Sequence, residues 1–219
     1  MTTKATARRQ PPGDRKSTMD ARRRAGRGGT AAARASQRRR NHLLVWGVGL
    51  SVVAALIGIM MWSARTTSDA SSRPAPDFAL TDTNGATVRL ADYRGKNVVL
   101  YFNEGAGCQS CLFQMADIER NAAQFTAADV TVLPIVMNTA DQIRLDMAAN
   151  GVRTPFLIDT GGKVSAAYGT LGKGMHAGLP GHSFVLIDAT GTQRWYGEYP
   201  SMYLSPAELL KQVRTHLGQ

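Results

Sequence analysis

Cysteine is what this chain has least of: two in 219 residues, Cys108 and Cys111. That scarcity excludes a small secreted scaffold stapled by several disulfides. It also excludes zinc-finger spacings, whether of four cysteines or of two cysteines followed by two histidines. Acidic residues are scarce in one place. Residues 1–42 hold thirteen Lys/Arg and only Asp14 and Asp20, a net of +11. The whole chain is +10, so residues 43–219 sum to −1. The basic character therefore belongs to the N-terminal arm. A nucleic-acid-binding domain would spread its positive face over folded elements, so no nucleic-acid partner is expected. Large apolar residues are nearly absent from the arm, which cannot offset its chain entropy and is expected to be disordered. No internal repeat is present.

Charge then disappears. Residues 43–62, Leu43 through Trp62, carry none. This matches the roughly 20 residues needed to cross about 30 Å of hydrocarbon. Trp46 and Trp62 stand near the two ends, and Arg38, Arg39 and Arg40 precede the span. The positive-inside rule then puts the arm in the cytoplasm and the rest outside, in a single-pass cell-membrane protein. A cleaved signal peptide would have an apolar core of about 7–15 residues and a short basic lead, so an uncleaved signal anchor is expected. Residues 63–73 read as a linker, and residues 74–219 as one folded domain.

Within that domain, residues 77–97 alternate around Asn84-Gly85, a hairpin signal. The run Val98-Val99-Leu100-Tyr101-Phe102 reads as a buried strand. A Gly-rich turn follows, and then Cys108-Gln109-Ser110-Cys111 opens an amphipathic helix predicted over 109–127. Strands are predicted at 130–136, 155–159, 183–188 and 192–197, with Pro134 awkward in a central strand. Further helices are predicted at 139–150, at 163–169 and at 205–217. The last has Ser205, Pro206 and Glu208 placed for a capping box. Strands alternating with helices, then a hairpin and a helix, indicate an α/β sandwich around a central mixed sheet.

A Cys-x-x-Cys between a buried strand and a helix is the arrangement of a redox site. The first thiol sits where free helix N–H groups favour an anion, which lowers its pKa below about 8.5. The second is one turn away and can close a disulfide. Glu104 precedes the turn and is a candidate proton carrier near the thiols. His182 follows a Gly-rich stretch, Gly169 to Gly181, that also holds Met175, His176 and Pro180.

These motifs resemble the thioredoxin superfamily, and within it the redoxin group that includes alkyl hydroperoxide reductase and thiol-specific antioxidant proteins. The resemblance rests on Ala75-Pro76-Asp77-Phe78-Ala79-Leu80, the strand at 98–102, the cysteine pair, and Ser183 through Gly191. The run Glu104 to Cys111, with Gly174-Met175-His176 and Leu179-Pro180-Gly181-His182, is similar to membrane-anchored redoxin-domain proteins of actinobacteria. The resemblance implies a thioredoxin-like fold and a redox disulfide, Cys108–Cys111. It implies His182 across from the pair, Gly107 and Pro180 beside a substrate groove, and no cofactor. The expected activity is thiol–disulfide exchange with protein thiols or disulfides. The alternatives are a thiol peroxidase acting on a hydroperoxide, and a Cu(I) carrier using Cys108, Cys111, His176 and His182, since soft donors suit that ion. The departures are specific. Gly107 replaces the aromatic residue before the first cysteine of thioredoxins, and His182 stands where they have the cis-proline. Gly105 or Cys108 stands where a peroxiredoxin has threonine, and His182 lies near the slot of the peroxiredoxin arginine.

Overall fold

The computed structural model describes residues 37–38, 44–60, 67–69 and 72–218. The chain divides into two units, Met1–Met61 and Trp62–Gln219. In the first, residues 44–60 form helix α1, whose large side chains, Leu44 to Met60, are all exposed. Among the described residues no helix is long and apolar enough to cross a membrane. The ends of the expected span (Leu43, Met61 and Trp62) and almost all of the basic arm lie outside the described residues.

The second unit is built on one mixed sheet of nine strands among the described residues. In chain order they are β1 (Thr67–Asp69), β2 (Arg73–Pro74), β3 (Ala79–Asp82), β4 (Thr87–Arg89), β5 (Asn97–Phe102), β6 (Val130–Val136), β7 (Leu157–Ile158), β8 (Ser183–Ile187) and β9 (Thr192–Glu198). The order across the sheet is β1-β9-β8-β5-β6-β7-β3-β4, with β2 also pairing β9. β5 runs parallel to β6 and antiparallel to β8. The segment expected as a linker over 63–73 therefore contains sheet: β1 and β2 both add to β9, whose outer edge was otherwise open.

Every residue of β5 is buried, because both faces of the sheet are covered. Val99 and Tyr101 face one core with α2 (Gln109–Arg120), α4 (Ala140–Asn150) and α6 (Pro206–Leu217), contributing Leu112, Met115, Ile143, Leu209 and Val213. Val98, Leu100 and Phe102 face the other, with Phe78, Leu90 and Tyr168. Burying each such side chain contributes roughly 1.5–3 kcal/mol, so β5 fixes the register of everything around it.

Three local expectations are corrected. The single helix over 109–127 breaks at Asn121 into α2 and α3 (Ala122–Ala127). The Asn121 carboxamide bonds back to the Asp117 carbonyl at 2.9 Å and competes with the helical ladder. The strand over 155–159 is only Leu157–Ile158. The capping box of α6 is one-sided: Ser205 accepts from the Glu208 N–H at 3.3 Å, but the Glu208 carboxylate turns to Lys211 and Gln212. Pro134 is accommodated in β6. Ile135 bonds toward β5, its carbonyl accepting from the Asn103 N–H. Pro134 therefore points the other way, where β7 pairs only Ile135 and Val136. Helix α5 (Lys163–Ala167) completes the fold.

Candidate active site

The turn between β5 and α2 is fixed by side chains from three places. Asn103 Oδ1 accepts from the Gly105 N–H at 3.0 Å, Asn138 Oδ1 from Ala106 at 2.9 Å, and Asp146 Oδ2 from Gly107 at 2.7 Å. Gly105 is required here. Its φ is +74°, and a Cβ would fall on the Asn138 carboxamide. The turn delivers Cys108 to the N-cap of α2, where its Sγ accepts the Cys111 N–H at 3.3 Å. Cys108 and Cys111 are joined as a disulfide. Their surroundings differ: Cys108 is partly exposed, while Cys111 is fully buried in the core beneath.

His182 enters from the start of β8. It is 1 % exposed, with Nδ1 4.0 Å from Cys111 Sγ and 3.2 Å from the Tyr101 hydroxyl. Its Nε2 lies 3.3 Å from Gln114 Oε1. Burial pushes the His182 pKa down to about 3, so the ring is neutral. Burial likewise pushes the Tyr101 phenol well up, so it keeps its proton.

Glu104 does not meet the thiols. It is 3 % exposed, but its carboxylate is turned to the Gly-rich loop. Oε1 accepts from the Met175 N–H at 2.7 Å and the His176 N–H at 3.3 Å, and Oε2 lies 2.9 Å from His176 Nδ1. The role expected of it as a proton carrier beside the cysteines is corrected to that of a loop anchor. Pro180 is buried and bridges Leu171 at the base of the loop, two residues before His182. Gly107 is exposed beside Cys108 at φ +87° with open space around it. Of the four expected copper ligands, Cys108, Cys111 and His182 lie together and His176 does not join them. Both sulfurs are spent in the disulfide, His176 is drawn away by Glu104, and His182 is enclosed between Tyr101 and Gln114. Among the described residues no group of three or more His, Cys, Asp or Glu side chains could hold a metal ion.

Sequence reasoning missed Tyr101, Gln114, Asn138 and Asp146. Tyr101 was legible only as core, and the other three sit in helical or loop positions that read as ordinary polar surface. Only the pairing of distant elements shows where they point.

The sequence profile of the AhpC/TSA family matches residues 72–195. A Mycobacterium tuberculosis protein named as a candidate peroxiredoxin is 34 % identical over 109 residues, half of this chain and 69 % of that one. The thiol-disulfide oxidoreductase ResA of Geobacillus thermodenitrificans is 29 % identical over 152 residues, covering 58 % of this chain and 87 % of its own. Among solved structures, the peroxidoxin BcpB of Mycobacterium tuberculosis superposes with a TM-score of 0.56 at 20 % identity, over 68 % of this chain and 96 % of that one. That likeness establishes the α/β thioredoxin-like fold.

Proposed function

The chain belongs to the AhpC/TSA family, a family of redox enzymes, and within it we propose that this protein is a membrane-anchored, extracytoplasmic thiol–disulfide oxidoreductase. The observation that carries the reading is the Cys108–Cys111 disulfide at the N-terminus of α2, with one sulfur open to solvent and the other buried. Only Cys108 can be reached by a partner. As a thiolate it receives the Cys111 N–H and the positive end of the helix dipole. It attacks a partner disulfide, giving a Cys108–partner mixed disulfide and a partner thiolate. Cys111 then attacks Cys108 Sγ, the internal disulfide closes, and the partner's second sulfur leaves. In the opposite direction a partner thiolate attacks Cys108 and Cys111 leaves. The similarity to ResA supports this chemistry, as does the neutral polar surrounding of the buried sulfur, Tyr101, Gln114 and an uncharged His182. The anchor is supported by the uncharged run 43–62 and by α1, whose large apolar side chains are all exposed.

Reduction of a disulfide-bonded test protein by the dithiol-charged full-length chain tests the reading. Cys108→Ser abolishes turnover, and Cys111→Ser accumulates mixed disulfides. Absence of any mixed disulfide in the second variant refutes it. Protease accessibility of residues 72–218 in intact cells against permeabilised ones tests the topology.

Family membership and the peroxiredoxin-named relative favour one second reading, a thiol peroxidase in which a cysteine sulfenic acid condenses with the other thiol. Gly105 in the threonine slot weighs against it. Stoichiometric hydrogen peroxide added to the reduced chain separates the two. Thiol loss within seconds marks a peroxidase, and loss no faster than in a small-thiol control marks disulfide exchange.

A further inference from the structure

The buried side of the site contains hydrogen bonds whose directions can be assigned one by one. The Gln114 side chain pairs with both backbone groups of Leu204: Nε2 donates to the Leu204 carbonyl at 2.8 Å, and Oε1 accepts the Leu204 N–H at 2.7 Å. That double bond fixes which end of the carboxamide is oxygen. Oε1 can only accept, so the His182 Nε2 that lies 3.3 Å from it carries the ring proton. Nδ1 is then a bare lone pair, aimed at the Tyr101 hydroxyl and Cys111 Sγ. The Tyr101 hydroxyl has one proton and two acceptors in reach, His182 Nδ1 at 3.2 Å and the Cys111 carbonyl at 3.3 Å.

From this we infer that His182 Nδ1 is the proton acceptor for Cys111, held in that tautomer by Gln114 as a positioning residue, with Tyr101 as a hydroxyl that changes acceptor when the disulfide is reduced. The inference rests on the thiol–disulfide reading of the pair and names how its buried half is managed. In the disulfide state Cys111 has no proton, and Tyr101 donates to Nδ1. In the dithiol state the Cys111 S–H donates to Nδ1, and the Tyr101 hydroxyl turns to the Cys111 carbonyl. Neither state leaves Nδ1 unpaired in the core, where an orphaned acceptor is costly.

The resolving step follows. The Cys111 S–H bond breaks as Sγ bonds to Cys108 Sγ, the bond from Cys108 to the partner sulfur breaks, and the electron pair leaves on that sulfur. The proton moves from Cys111 toward Nδ1 as the negative charge departs, and then passes to the leaving thiolate or to solvent. No buried thiolate has to form beforehand. The titratable groups facing the ring are Tyr101 from β5 and Cys111 from α2. Its other ring neighbour is the apolar Phe184 of β8, and Gln114 is uncharged.

The test is stopped-flow reaction of the reduced full-length chain with one equivalent of an aromatic disulfide whose released thiolate absorbs. Attack by Cys108 gives a first equivalent of thiolate, and closure by Cys111 gives a second. In His182→Phe the first phase is kept and the second slows by about tenfold or more. The second phase also becomes steeper with pH in the variant, approaching tenfold per unit, because it then requires the Cys111 thiolate. An unchanged rate and pH slope overturn the inference. Tyr101→Phe supplies a second measurement that does not need the His182 variant to fold. It leaves Nδ1 without a donor only in the disulfide state, since the Cys111 carbonyl also has the ladder of α2. The equilibrium against glutathione therefore shifts toward the dithiol by about three- to tenfold. An unshifted equilibrium counts against the hydroxyl switch and overturns it. A wild-type chain that never releases a second equivalent sinks the dithiol reading itself, which a slowed second phase does not.

Discussion

His176 lies within the Gly-rich stretch and His182 directly after it, six residues apart, and the fold gives them opposite surroundings. His176 has a side chain 65 % exposed, and its imidazole meets the carboxylate of Glu104. His182 is 1 % exposed and meets a carboxamide, a phenol and a sulfur, none of them charged in the disulfide state. Each contact is built on a backbone anchor. Glu104 binds the N–H groups of Met175 and His176 at the rim, and Gln114 binds both groups of Leu204 in the interior. The partner decides what each imidazole does. A carboxylate holding an exposed loop makes a fastening whose loop partners can turn to water when it is lost. A neutral amide in the core makes a tautomer that solvent cannot scramble.

The largest effect is expected from removing the interior anchor. Gln114→Leu leaves the Leu204 N–H, the Leu204 carbonyl and the His182 Nε2–H without their partner, all buried. Orphaned groups of this kind cost about 1–3 kcal/mol each. A loss of about 3–5 kcal/mol in denaturant unfolding is expected. A loss below about 1 kcal/mol would mean that the two anchors do not differ in kind.

A smaller effect, with a distinctive pH signature, comes from His182 itself. Its folded-state pKa is about 3 against 6.5 for the free side chain, and burial is the cause. Between those values the unfolded chain binds the proton and the folded chain does not, so stability is complete above pH 6.5 and falls as the pH drops. The slope is about 1.4 kcal/mol per pH unit, or about 2 kcal/mol by pH 5. Burial pulls the Asp188 carboxyl up, but bonds from Thr190, Thr192 and Arg194 prevail and hold it below its ordinary value of 3.8. Glu208, held down chiefly by Gln212, departs from 4.5. Both therefore add their losses mainly below about pH 4.5, which leaves the interval up to 6.5 to His182 among these groups. Thermal melts of wild type and His182→Phe across that interval check it: the variant should lose the slope. An equal slope in both would place the titration elsewhere.

The contrast between the two histidines also marks where sequence reasoning ends. Local chemistry was legible. The burial of β5, the cysteine pair at a helix start and Ser205 as a cap follow from neighbours a few residues apart. Long-range polar partnership was not. Nothing near Glu104 in sequence says that its carboxylate turns 71 residues away to Met175 instead of toward Cys108. Nothing near Gln114 says that it reaches Leu204. The same limit explains β1 and β2. A Ser/Thr/Arg/Pro segment has no strand pattern of its own and becomes sheet only because β9 offers an open edge. Asn121 shows the reverse failure: the apolar spacing continues through it, and a single side-chain bond interrupts the helix.

The smallest effect, and the one that isolates the rim, is expected from Glu104→Ala. The carboxylate fastens a loop that contains Gly172, Gly174, Gly178 and Gly181 and whose residues 172–178 are largely exposed. Freed N–H groups at Met175 and His176 can therefore turn to water, so the global cost stays at about 1–2 kcal/mol even though a buried side chain is lost. The local consequence is larger than the global one. Hydrogen exchange at the Met175 and His176 amides should accelerate by tenfold or more, since a loop with few buried contacts opens at low free energy once its fastening is gone. The amides of Val98 to Phe102, in the strand between two cores, should keep their protection apart from the small global shift. Uniform acceleration in both places would show that Glu104 supports the whole domain, and the division between rim and interior would fail.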